Sequence, residues 1–276
     1  MLFPEFLVLI RGGGDLASGT ILRLARAGFP VVVLELDYPL AVRREVAFAS
    51  AVQRGEFELE GVKGVRTDSI ESAPAFAEAG IIPVLVDPAG QSIPLLNPQV
   101  LVDARMTKSR EESSRDSAPL VVGLGPGFSA GVNCHAVVET NRGPYLGRVY
   151  WRGSAESNTG RPDAVMGRDY DRVLRSPGDG IIEVHAEIGD VVVERQTIAT
   201  VGDNAVEAPF GGALRGIIAP GTPVTAGMKI GDIDPRGSRE YCFSVSDKSL
   251  AVGGGVLEAI LTWLNRNSSE PSGSQS

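Results

Sequence analysis

The chain has 276 residues, 43% of them hydrophobic and 22% charged, a composition that suits a soluble globular protein of one large or two ordinary domains. A net charge of −8 argues against nonspecific nucleic-acid binding, which needs a basic field, but leaves room for a small anion held by backbone amides. Two cysteines without paired spacing argue against a disulfide framework and point to a reducing, cytoplasmic setting.

Residues 7–10 form an apolar run that reads as a buried strand, ended by Arg11, Gly12, Gly13 and Gly14. The run is too short to span a membrane, and it lacks the basic start and the cleavage site of a signal peptide. Residues 16–27 carry apolar side chains at helical spacing, and Gly28 stops them. Residues 31–36 read as a second buried strand. Residues 70–79 predict a helix with Asp68 or Ser69 as its cap. Residues 82–86 and 100–102 are short apolar strands, each followed by an aspartate, Asp87 and Asp103. Strands alternating with helices predict a parallel sheet with helices on its faces.

Residues 108–118 are charged without an apolar face and predict an exposed loop or a domain-edge linker. A buried strand at 120–123 leads into a glycine-rich turn at 123–131. Residues 134–139 and 145–151 read as strands, and the polar stretch 152–167 as a loop toward a second domain. Near the end, 241–245 is strand-like, 249–255 is rich in glycine and small residues, and 256–264 has helical spacing. This closing segment is expected to return to the first domain. The polar, Ser-rich residues 267–276 are expected to be a disordered tail.

An internal repeat lies between. Residues 176–201 align with 208–233 at a constant offset of 32, with Pro177/Pro209, Gly180/Gly212, Gly189/Gly221, Val192/Val224 and Ile198/Ile230 identical. These are turn residues and core aliphatics, as two interlocking half-barrels require. The pattern predicts a duplicated β-module of the biotinyl/lipoyl type. The stretch joining its halves, 201–206, holds no lysine, and the nearest, Lys229, lies inside the second half. Without an exposed amine there, the module is expected to carry neither biotin nor lipoate and to act as a scaffold or docking surface. The expected fold class is α/β. A Rossmann-like parallel-sheet domain with appended strands covers 1–168. An inserted all-β biotinyl/lipoyl-like (barrel-sandwich) domain covers 169–237, and a C-terminal segment covers 238–266.

The chemistry is sought at two glycine loops. Gly12, Gly13, Gly14, Asp15, Leu16 and Ala17 fit G-x-G-x-x-A directly between a buried strand and a helix. There glycines admit a tight turn, and helix N–H groups attract a phosphate. Glu35 or Asp37 is placed to take a ribose hydroxyl at the end of the second strand. Asp15 suits capping but repels an incoming pyrophosphate, so a purely structural turn stays open. Gly123, Gly125 and Gly127 form a second loop able to offer N–H groups to an anion. Cys134 is either a small buried hydrophobe or a thiolate that carries sulfur or ligates a metal centre. His135, its neighbour, points to the opposite face of a strand, so the two form neither a nucleophile–base pair nor a metal site. Asp87 and Asp103 either face a ligand or cap turns. Arg105 and Lys108 either supply charge near a phosphate or are solvated.

Several strings resemble one family: residues 11–19 (RGGGDLASG), 123–140 (GLGPGFSAGVNCHAVVET), 158–160 (NTG), 232–236 (DIDPR) and 246–257 (SDKSLAVGGGVL). Together they look like the YqeB-like accessory proteins of the selenium-dependent molybdenum hydroxylase system. The resemblance implies a part in the maturation of a molybdenum hydroxylase. It also implies likeness to the nucleotide-binding portion of xanthine dehydrogenase accessory chaperones, which are associated with the molybdenum cofactor and its sulfuration. On that basis the 12–17 loop holds the cofactor's phosphate or its nucleotide form, and Cys134 faces the metal or its sulfur. The partner is then a molybdenum hydroxylase or its maturation machinery. No residue matches an established catalytic motif, so enzymatic activity stays open. Two other classes remain: an NAD(P)- or FAD-dependent oxidoreductase, and a non-enzymatic scaffold.

Overall fold

The computed structural model describes residues 1–106, 114–157, 166–167 and 171–268. The first part runs β1 (Val8–Arg11), α1 (Asp15–Arg26), β2 (Val31–Glu35), α2 (Ala51–Arg54), β3 (Glu56–Leu59), β4 (Val62–Arg66), α3 (Ala73–Glu78), β5 (Ile82–Val86), α4 (Ile93–Leu96) and β6 (Val100–Asp103). It continues with β7 (Leu120–Leu124), β8 (Ser129–Ala130), β9 (Ala136–Val138), β10 (Val149–Tyr150) and β11 (Gly153–Ser154). Nine of these strands form one sheet in the order β10-β9-β7-β6-β1-β2-β5-β4-β3. Every pair from β9 to β4 is parallel, and only the edge strands β10 and β3 run antiparallel. β8 and β11 make a separate short ladder.

The central strands are continuous apolar runs because both faces of the sheet are covered. Val8 and Ile10 pack into one core with Ile21 of α1, while Leu9 between them packs into a second core with Ala73 and Leu96. α1 stops where expected. Gly28 takes φ +89°, and its N–H reaches Ala25 O while Phe29 N–H reaches Leu24 O, the paired bonds of a Schellman end.

The second part holds β12 (Val173–Arg175), β13 (Gly180–Val184), β14 (Val191–Val192), β15 (Thr197–Val201), β16 (Asn204–Glu207), β17 (Gly212–Ile217), β18 (Pro223–Val224) and β19 (Lys229–Asp234). They form two antiparallel sheets, β12-β19-β17-β14 and β16-β15-β13-β18. The 32-residue offset maps β13, β14 and β15 onto β17, β18 and β19. Each half therefore lends its short strand to the other half's sheet: β14 pairs with β17, and β18 with β13. Ile182, Ile198, Leu214 and Ile230 close a shared core between them.

The module leans on the segment after β2. A Cβ on Gly216 would come within 2.8 Å of Val42 O, and Arg44 Nε donates to Ile217 O at 2.7 Å. The chain then forms α5 (Glu240–Phe243) and α6 (Asp247–Ser268), and α6 packs against α1.

The structure corrects several local expectations, among them the strand expected at 145–151, which is confined to β10 at 149–150. Residues 241–245 are not a strand: α5 occupies 240–243 and buries Cys242 in the module core. The glycine-rich stretch 249–255, for which no element was expected, lies inside α6. Its glycines let two helices touch, since a Cβ on Gly253 would come within 2.5 Å of Gly19 O. The helix expected at 70–79 is confined to 73–78, and Ser69 Oγ accepts the Ser72 N–H just ahead of it. Residues 267 and 268, expected in a tail, end α6. The rest of that tail, Lys108 and the NTG string lie outside the described residues. The hairpin β3–β4 had no counterpart in the sequence reading. Its turn residues, Glu60 and Gly61, both take positive φ, 47° and 82°, as a type I′ turn demands.

Candidate functional site

In an open parallel sheet, ligands settle beyond the strand C-termini where the strand order reverses. Here the chain passes from β1 to β2 on one side and later returns to β6 on the other. A cavity of about 410 Å³ opens at that place. Its walls come from the ends of β1, β2 and β6, from α1, and from Leu40–Val42, with Asp87 and Pro88 after β5 completing it.

The three glycines of the first loop serve different ends. Gly12 has φ +90°, a conformation that disfavours any side chain. A Cβ on Gly13 would come within 2.9 Å of Ala49 N, whose N–H donates to Gly13 O. Gly14 has no atom within 4 Å of its Cβ position and opens on the cavity. No side chain caps α1, so its first-turn N–H groups keep their anion-attracting character. Leu16, Leu34, Leu36, Leu40, Val42 and Met106 add apolar lining.

Gly12, Gly14, Asp15, Ala17 and Glu35 line this cavity together, and Gly13 sits just behind it. Asp15 does not cap the helix. Its carboxylate accepts from Arg43 Nη1 at 2.9 Å and from Ser249 Oγ at 2.8 Å. Its charge is thus paired, which weakens the repulsion expected toward a phosphate. Arg43, a partner that sequence reading missed, is 7% exposed and also donates to Tyr241 O and Ser244 O. Glu35 turns inward. Gly13 N–H donates to its Oε2 at 2.6 Å and Leu36 N–H to its Oε1 at 2.7 Å. Burial raises its carboxyl above the ordinary value, and those two bonds only partly offset this.

Asp87 accepts from Gln91 N–H, Ser92 N–H and Ser92 Oγ, and so caps the turn after β5. Asp103 holds Arg105 through both its oxygens. Arg11 donates to Pro88 O at 3.3 Å.

The second glycine loop is not part of the cavity. A Cβ on Gly123 would strike the Phe128 ring at 2.1 Å, and one on Gly125 would meet Thr140 Oγ1 at 2.3 Å. Gly127 takes φ +103°. These glycines are accounted for by the loop's own packing and backbone. Cys134 is fully buried, and burial pushes its thiol up to about 11, so it is protonated at neutral pH. His135 Nδ1 accepts Val121 N–H at 2.9 Å, which fixes its ring, and burial lowers its pKa. The reading missed Glu139. It is fully buried and accepts the N–H groups of Thr140, Asn141 and Glu156, which ties the loops beyond β9 together. Among the described residues, no group of three His, Cys, Asp or Glu side chains could hold a metal ion. No described helix is long and apolar enough to cross a membrane.

The fold and site thus define a mixed α/β protein with a glycine-loop cavity and a duplicated antiparallel β-module. Over 260 residues the chain is 47% identical to the uncharacterized protein YqeB of Escherichia coli (strain K12), a match that takes in 94% of this chain and 48% of that protein. The chain spans about half the length of the curated relative it matches. No family model matches it. Among solved structures, the product-bound ectoine utilization protein EutE (DoeB) from Ruegeria pomeroyi aligns with 82% of this chain and 84% of its own, at 13% identity and a TM-score of 0.25. A succinylglutamate desuccinylase/aspartoacylase from Rhodobacter sphaeroides aligns over the same shares at 15% identity and a TM-score of 0.25. Neither score supports an argument about this chain.

Proposed function

We propose that this chain is a cytoplasmic accessory factor in the maturation of a selenium-dependent molybdenum hydroxylase, and that it binds a nucleotide or the phosphate of the molybdenum cofactor at the first glycine loop. The observation that carries the binding half is the cavity itself. It brings uncapped helix N–H groups and the open face of Gly14 into one cavity with apolar side chains. That pairing suits a phosphate joined to a planar apolar ring system. The maturation half rests on the sequence resemblance to YqeB-like proteins. In this reading the large sheet is a Rossmann-like domain, and the module is an unmodified biotinyl/lipoyl-like barrel that docks the partner.

A dinucleotide-dependent oxidoreductase is less well supported. Its ribose acceptor would be Glu35, and both oxygens of Glu35 already bind backbone amides. The test is anaerobic purification from the native host followed by native mass spectrometry. A pterin or nucleotide should travel with the wild-type chain and be lost from Gly14→Asp, which puts a carboxylate where the phosphate would sit. A wild-type protein that arrives without a ligand and binds no pterin nucleotide in vitro would sink the reading. A thermal shift with NAD(P) or FAD would favour the oxidoreductase instead.

A further inference from the structure

We infer that the seam between the β-module and α1 contains a second anion site, built from Arg172, Arg215 and Lys229, that takes a phosphate-type oxyanion. Arg172 and Arg215 gather around Asp232 in β19, and Lys229 stands three residues before it on the same strand. Arg172 Nη1 lies 3.2 Å from Asp232 Oδ1, and Arg215 Nη1 lies 3.6 Å from Asp232 Oδ2. Asp234 gives Arg215 little more. Their closest approach is 4.0 Å, because Arg236 already holds Asp234 through both of its oxygens. Lys229 has no ion-pair partner among the described residues, although the charges of Asp232 and Asp15 act on it.

The charges do not balance. Among the described residues, Arg43 is paired with Asp15 and Arg236 with Asp234, and Asp247, whose charge also acts on Arg215 and Arg236, is held by Arg142; Arg172 and Arg215 are left to share Asp232. Arg172 is 7% exposed, and among the described residues its Nε–H, the Nε–H of Arg215 and Asp232 Oδ1 are buried without a hydrogen-bond partner. Buried guanidinium N–H groups left unmade are costly, and surplus buried charge more so. A tetrahedral oxyanion answers both demands, since it accepts several N–H bonds and brings negative charge. Lys229 is solvent-exposed and gives such an anion a way in. This site is separate from the glycine-loop cavity, whose lining includes none of the three.

The test measures thermal stability of the full chain with inorganic pyrophosphate and, separately, with ADP. Lys229→Gln is the variant of choice, because an exposed lysine without an ion pair can be replaced without unfolding the module. Pyrophosphate at about ten times its Kd should raise the wild-type Tm by roughly 3 °C. Lys229→Gln should lose most of that rise, and Gly14→Asp should keep it. If only ADP stabilises, and both variants weaken it, the cations serve the cavity's own ligand and the second site is overturned. A shift that Lys229→Gln leaves unchanged, or no shift with either probe, overturns the proposal.

Discussion

Asp15 and Arg43 meet at 2.9 Å, and through them the glycine loop is tied to two distant parts of the chain. Asp15 also takes the Ser249 hydroxyl at the start of α6, while Arg43 reaches the carbonyls of Tyr241 and Ser244 around α5. Removing Arg43 leaves Asp15 with the Ser249 hydroxyl alone and takes a donor from two carbonyls. Arg43→Ala is expected to lose about 3 kcal/mol of stability, and Asp15→Asn about 1 kcal/mol. Urea midpoints for both variants and the double variant give the coupling. A coupling of zero would show that the pair is incidental.

The Glu35 carboxyl is raised by burial. The folded chain therefore holds that proton to higher pH than the unfolded chain. The resulting stabilisation is full below the ordinary value of 4.5 and is lost as pH rises through the folded value. Glu35→Gln removes this fall, at the cost of one of the two accepted N–H bonds. Stability measured at steps upward from pH 4.5 should show a flatter profile for the variant. Superimposable profiles would assign the slope to another group.

Two neighbouring glycines in α6 should respond in opposite directions. A Cβ on Gly253 would press on the backbone of α1, so Gly253→Ala should cost about 2 kcal/mol or more. Gly254 has open space at its Cβ position and sits inside a helix, so Gly254→Ala should gain about 0.5–1 kcal/mol. Thermal unfolding of both reads the difference, and equal effects would contradict the close helix contact.

Cys134 should behave as a core thiol. With no exposed surface and a pKa near 11, it is expected to resist thiol reagents at neutral pH until the chain unfolds. Rapid labelling of Cys134 in the native protein, located by peptide mapping, would revive the sulfur-carrier role.

The sequence revealed most where one kind of burial governed a stretch. β1, β5 and β7 are read easily because parallel strands covered on both faces must be apolar throughout. The repeat was legible for a similar reason, as its identities fall on turns and shared core. The α6 glycines were not, because a glycine run looks the same in a loop as on a helix face built for close contact. In the site, the loop at 12–17 announced itself by spacing. Arg43 and Ser249 did not, since nothing local marks a partner lying 28 or 234 residues away from Asp15. The inward turn of Glu35 was also hidden, because an acidic residue at a strand end reads the same whether it faces a ligand or its own loop.

The contact between α1 and α6 also bears on how the chain is made. On the ribosome, the first helix must wait for the last before its outer flank is covered, and the whole β-module is synthesised in between. Because β14 and β18 are exchanged, the module cannot close until β19 has emerged either. Until then the nascent sheet shows an apolar flank to the cell. Such long-range closure slows folding and invites chaperone help during synthesis.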